Sequence, residues 1–264
     1  MKRSVRVAFG LVAALSAQAA SSHALAWGST GHRLIGRLAV QKLPTEIPAF
    51  LRTPASAAKV GELARELDRS KGAGRAHDND LDPGHFLDLG DDGKVFGGPS
   101  LDALPPTRAD YETALRAVGA DSWKAGYLPY SIVEGWQQLT IDFAFWRVDQ
   151  AGARNTRNAA HRAWFLADAA EREQLILRDL GTLAHYVGDG SQPLHVTLHY
   201  NGWGSGPNPN GYSQDKLHGP FEGAFVHDYV KPAAVAAKVA AFHDCACPID
   251  RRTAGYLAAT TATV

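Results

Sequence analysis

The chain has 264 residues, 45% of them hydrophobic, with 27 Lys plus Arg against 27 Asp plus Glu. That balance excludes the profile of a strongly basic nucleic-acid binder, and no segment approaches the roughly 20 apolar residues of a membrane-spanning helix. Only two cysteines occur, Cys245 and Cys247; a mutual bridge across one residue would be strained, which excludes a disulfide-stapled scaffold.

The first 26 residues are read as an export signal. Lys2, Arg3 and Arg6 form a basic start, Val7 to Leu15 an apolar run, and Ala24-Leu25-Ala26 a cleavage site. The mature chain is then expected to be a single domain over 27–264, periplasmic or secreted. It loses three basic residues and no acidic one, so its acids outnumber its bases by three. Cleavage makes Trp27 the first residue, whose free α-amino group and carbonyl oxygen can chelate a metal that His32 also binds.

Helical periodicity follows almost throughout, and no run alternates as a strand does. Residues 31–43 carry Leu34, Ile35 and Leu38, and residues 60–67 carry Leu63 and Leu67. Residues 107–118 open on a cap-like Thr107-x-x-Asp110 and align Tyr111, Leu115 and Val118. Residues 132–146 place Trp136, Leu139, Phe143 and Trp146, and residues 173–187 place Ile176, Leu180, Leu183 and Val187. Phe221, Phe225 and Tyr229 are predicted to form a core stripe, followed by a Val/Ala-rich helix over 233–242. The fold class expected is all-α, a single-domain helical bundle. Residues 72–106 and 200–216, rich in Gly, Pro, Asn and Asp, are expected to be long irregular loops, which in a compact domain usually carry function.

Chemistry concentrates in Leu183-Ala-His185-Tyr-Val-Gly-Asp189-Gly-Ser-Gln-Pro193-Leu-His195. Four residues apart on a helix, His185 and Asp189 project from one face at metal-ligand separation. Asp189, with two oxygens, could bridge two metals, and Pro193 ends or bends the helix before His195. His218 and Glu222 repeat the spacing, with Pro220 in the first turn where proline is tolerated. Asp82-Pro-Gly-His85-Phe86-Leu-Asp88 makes a third cluster. Each alone also fits a capping histidine beside a solvated carboxylate.

In their order, these residues resemble the superfamily that joins zinc-dependent phospholipase C with the secreted single-strand-specific nucleases of fungi and plants. The resemblance covers the chain from Trp27 to about Val230. It rests on Trp27, His32, Asp68, the His85-Phe86 pair, His185-x3-Asp189-x5-His195 and His218-x3-Glu222. It implies a trinuclear cleft with three zinc ions: one on Asp68, His85, His185 and Asp189; one on His195, His218 and Glu222; one on Trp27, His32 and a bridging Asp189. Asp68 takes the acid position because it follows Leu63 and Leu67 on a helical segment, with Asp78, Asp80 and Asp82 nearby.

Such a cluster suits phosphodiester hydrolysis, because zinc lowers the pKa of a bound water from about 15.7 toward about 7 while neighbouring ions neutralise phosphate oxygens. The expected reaction is direct attack of that hydroxide without a covalent intermediate, with Asp68 orienting or deprotonating the water.

Substrate signals pull two ways. Trp27-Gly-Ser-Thr-Gly-His32 and the His85-Phe86 pair look like the nucleases, Phe86 stacking on an unpaired base with roughly 1–3 kcal/mol per base or, as plain packing, filling the core. His218-Gly-Pro-Phe-Glu222, with Glu where nucleases have Asp, and residues 85–94 look like phospholipase C. Lys71 stands where the nucleases place an Arg, which weakens two-point phosphate recognition. The expectation is a nuclease on single-stranded DNA or RNA, or a 3′-nucleotidase. Phospholipase C, which calls for an apolar membrane-facing rim that no single segment declares, and a non-catalytic zinc-binding protein are the alternatives.

Overall fold

The computed structural model describes residues 27–71, 80–204, 206–240 and 246–264. The expected export signal over 1–26 lies outside them, as does Asp78. The described residues form an all-α single domain with no extended strand, only isolated bridges such as Leu87 with Gly126 and Leu89 with Val95.

Two long helices carry the fold, α4 (Leu128–Asn155) and α5 (Ala159–Gly190). They form an antiparallel hairpin, because Asn158 in the tight link caps α5 by accepting from the amides of Ala160 and His161 at 2.9 and 3.1 Å. Both run well beyond the predicted 132–146 and 173–187. The extra turns are held by packing of one helix on the other rather than by apolar spacing of their own. Before them come α1 (Gly28–Gln41), α2 (Pro54–Leu63) and α3 (Arg108–Ala117). Thr53 caps α2 and Thr107 caps α3. α1 and α2 cross closely enough that a Cβ on Gly61 would lie 2.8 Å from the Arg33 carbonyl oxygen.

One core gathers Val40, Leu51, Val60, Ile176 and Leu177 where α1 and α2 lie against α5. The other surrounds Tyr111, Leu115, Leu128 and Ile132, and includes Leu87, Leu89 and Val95. The stretch expected to be irregular around residue 90 is therefore a core segment. Its backbone is satisfied by partners such as the Ala125 carbonyl, which accepts from the Asp88 amide at 2.9 Å.

The chain then forms helical residues 218–229 (α6), α7 (Pro232–Lys238) and α8 (Ile249–Thr261). Sequence periodicity did not reveal α8. It buries Leu257 and ties down the end of α5: the Tyr256 and Thr260 hydroxyls donate to the Val187 and Gly190 carbonyls at 2.8 and 2.7 Å. These are carbonyls that a helix terminus leaves without intrahelical partners. Cys247 is disulfide-bonded, and the chain's second cysteine, Cys245, lies outside the described residues.

Between α4 and α5, Asp149 is only 4% exposed and has one carboxylate oxygen without a partner. Burial, then the neighbouring Asp168 carboxylate, raise its pKa. A raised carboxylate contributes stability that is fully present below its unfolded value and lost as pH rises through the folded one. Asp149→Asn is therefore expected to raise Tm by about 2–4 °C at pH 7, for a change of order 1 kcal/mol, and to give no gain at pH 3.5. Equal gains at the two pH values in thermal melts would refute this cause.

Candidate metal centre

Five other segments of the chain converge on the C-terminal half of α5. Its inner face presents His185 and Asp189, one turn apart and both fully buried. α1 brings His32, also fully buried; a 3-10 turn, Glu66–Ser70, brings Asp68; another, Asp82–His85, brings His85. The 3-10 turn Pro193–His195, entered through Pro193, supplies His195, and α6 supplies His218 and Glu222.

The donor atoms fall into three adjoining groups, each within 4.8 Å: His32, His185 and Asp189; Asp68, His85 and His185; His195, His218 and Glu222. Asp189 Oδ2 lies 3.0 Å from His85 Nδ1 and 3.2 Å from His185 Nε2, while its Oδ1 lies 3.4 Å from His32 Nε2 and 3.5 Å from His195 Nδ1. His218 Nε2 stands 2.8 Å from Glu222 Oε1 and 3.1 Å from His195 Nε2. Ligands about 2.1 Å from a tetrahedral zinc are about 3.4 Å from each other. The separations match that spacing.

Carbonyl partners orient two of the imidazoles, His185 and His195, on which burial is outweighed by the Asp189 carboxylate, so that their pKa values are raised. A carbonyl can only accept, so His185 Nδ1 donates to the Ala64 oxygen at 2.6 Å and His195 Nδ1 donates to the His85 oxygen at 2.7 Å. Each Nε2 lone pair is thereby turned toward the cluster, as carbonyl partners do for metal-bound histidines. Burial, then the Lys71 charge, depress His85 to about 3, which keeps it neutral. Burial likewise lowers His32. For Asp189 burial works upward, but the charges of His185 and His195 outweigh it and hold the carboxyl well below its usual range. Glu222 follows the same balance, with His195 and His218 prevailing over burial.

The donor chemistry fits cations. Both His32 nitrogens, both Asp68 oxygens, Asp189 Oδ1 and Glu222 Oε2 are buried without a hydrogen-bond partner. Buried carboxylates are rarely left so unless paired or bound to metal.

The remaining expected residues border this cluster. Lys71 Nζ is 3.4 Å from Asp68 Oδ1 and 4.0 Å from Asp82 Oδ1. Trp27 is partly buried, and its indole N–H donates to the Gly188 carbonyl at 2.7 Å, next to Asp189. Phe86 is partly buried and leans over Gly126. Asp82 and Asp88 do not join a donor group. Asp88 is buried, which pushes its pKa to about 7 against the opposing charge of His195.

Gln192 escaped the sequence reading. It is fully buried; its side-chain amide donates to Glu222 Oε1 and its own oxygen accepts from the Leu194 amide at 2.9 Å. The one sequence signal was its place just before Pro193.

The predicted core stripe of Phe221, Phe225 and Tyr229 is corrected. Phe225 is 45% and Tyr229 70% exposed, whereas Glu222 and Val226 are 1% and 3% exposed. The inward face of α6 belongs to the neighbouring i, i+4 row, through a π-helical turn over Phe221–Phe225. The aromatic row stacks on itself outside, with ring centroids 5.4 and 5.6 Å apart, and Trp27 lies 5.9 Å from Phe221. No protein-family model, curated protein or solved structure matches the chain.

Proposed function

We propose that this protein is an exported zinc-dependent phosphodiesterase acting on single-stranded nucleic acid. The observation that carries this reading is the set of three adjoining donor groups, in which both His32 nitrogens, both Asp68 oxygens, Asp189 Oδ1 and Glu222 Oε2 are buried without a hydrogen-bond partner. Three zinc ions held there would supply Lewis acidity toward water and toward phosphate oxygens. His85, His185, Asp68 and Asp189 would hold the first; His195, His218 and Glu222 the second; His32, Asp189 and the terminal amine and carbonyl of a mature Trp27 the third.

The chain's own groups do the rest. Asp68 keeps an unpartnered oxygen to orient the attacking water and accept its proton. Lys71, beside Asp68, offers positive charge to the phosphate. Phe86 and the exposed row beginning at Phe221 offer ring faces to unpaired bases, as single-strand binders do. A stacked base also explains a preference for single strands, because duplex bases cannot reach those rings. Phospholipase C remains a second reading, since Phe225 and Tyr229 form an apolar rim beside the site.

The test compares hydrolysis of single-stranded DNA, RNA and phosphatidylcholine by the cleaved, metal-analysed protein, with and without chelator. Chelator-sensitive cleavage of nucleic acid alone is expected, with Phe86→Ala raising KM by about 5- to 150-fold. Cleavage of lipid alone would move the protein to phospholipase C, and zinc binding without hydrolysis would make it a binding protein.

A further inference from the structure

Gln192 touches three of the candidate donor residues with its own atoms. Its backbone amide donates to the Asp189 carbonyl at 3.0 Å, and its backbone carbonyl accepts from the His195 amide at 2.9 Å. Its side-chain amide donates to Glu222 Oε1. The side-chain oxygen accepts from the Leu194 amide at 2.9 Å, so each polar group of this fully buried residue is engaged.

The pattern fixes what the side chain presents. A backbone N–H can only donate, so the Leu194 amide takes the Gln192 oxygen and leaves the NH2 group turned to Glu222. Two tasks meet in one side chain. Toward Leu194 it caps the 3-10 turn Pro193–His195, satisfying an amide that a helix start leaves without a partner. Asparagine is a more usual cap, but it is one methylene shorter. The added methylene lets the same side chain cap the turn that carries His195 and also reach the carboxylate on α6, 30 residues further along the chain.

We propose that Gln192 is a positioning residue for the donor group of His195, His218 and Glu222, holding α6 against the chain that follows α5 so that this group is preset for its metal. The inference rests on the metal binding in the reading above. Glu222 Oε1 faces both imidazoles, 2.8 Å from His218 Nε2 and 3.2 Å from His195 Nε2. A cation held there takes both imidazole lone pairs, so neither ring then orients the carboxylate through a hydrogen bond. The Gln192 N–H is the contact to Oε1 that serves with or without the ion. The other two donor groups, built on His32, Asp68, His85, His185 and Asp189, owe nothing to the Gln192 side chain.

The test is zinc titration of the whole mature protein, stripped of metal, in competition with a chromophoric chelator, for the parent, Gln192→Asn and Gln192→Met. Asparagine keeps the cap and loses the reach to Glu222; methionine keeps the length and loses both hydrogen bonds. Each variant is expected to bind one ion about 10- to 100-fold more weakly than the parent, the usual cost of removing a group that orients a ligand, with the remaining ions unchanged. Cobalt loaded in place of zinc is expected to show an altered visible spectrum in both. In a His218→Ala background, where that donor group is already broken, Gln192→Asn is expected to change nothing further. Parent affinity for every ion in Gln192→Asn overturns the proposal. A weakening shared by all ions, or found in Gln192→Met alone, also overturns it, because Gln192 would then serve only the turn. A parent that binds no zinc overturns the metal reading and this inference with it, whereas a loaded parent with unchanged variants overturns this inference alone.

Discussion

Under the proposed function, Asp189→Asn is expected to lower both zinc content and phosphodiesterase kcat/KM, the latter by about 10³-fold or more. One fully buried carboxylate lies within 3.5 Å of nitrogens on His32, His85, His185 and His195. Asparagine keeps the shape but has one oxygen and no charge, so the four histidines lose their shared anion. Metal centres supply several kcal/mol of transition-state stabilisation, and each 1.36 kcal/mol is tenfold in rate. The same substitution has a pH signature in metal-free protein. Because the folded carboxyl is held low, its stabilisation is present above the unfolded carboxylate value and lost as pH falls through the folded one. The stability gap between parent and variant should therefore be full at pH 6 and shrink in strong acid. Retention of full zinc content and activity by the variant, read by metal analysis and kinetics, would refute the assignment.

Gly126→Ala is expected to cost at least about 3 kcal/mol, roughly 6–12 °C in Tm. Gly126 has φ +76°, and a Cβ there would press on the Phe86 carbonyl oxygen and lie 2.6 Å from its carbon. The conformation at φ +76°, ψ 165°, essentially confined to glycine, alone costs a side chain roughly 1–3 kcal/mol; the rest comes from pushing away the His85-Phe86 backbone. That movement carries His85 out of reach of Asp189, so metal affinity falls with stability. Gly93→Ala is the control: it has φ +72° with nothing within 4 Å of its Cβ, so only the conformational cost applies. Calorimetry on the two variants separates clash from conformation, and equal losses would remove the clash.

Much of the centre was legible as spacing. His185 with Asp189 and His218 with Glu222 sit one helical turn apart, and each pair does face one way. The helical class followed from periodicity because α1, α2 and the inner half of α5 bury one apolar stripe each. α6 misled for a physical reason. Two i, i+4 rows compete there, and apolarity favoured Phe221, Phe225 and Tyr229. Burial went to Glu222 and Val226, with His218 partly buried, because the contacts with Gln192 and His195 repay desolvation of the carboxylate. Gln192 and α8 were invisible for the same class of reason, since their roles lie in partners that are distant along the chain.

The sequence by itself determined the helical class, the cap at Thr107 and the two histidine-carboxylate pairs, because each depends on residues within a turn or two. Only the tertiary structure decided which carboxylate joins His85, which row of α6 is buried, and that Asp142 and Asp149 of α4 are buried while Ile141, Phe145 and Val148 are exposed. Those outcomes depend on desolvation and pairing across segments that meet only when the chain folds.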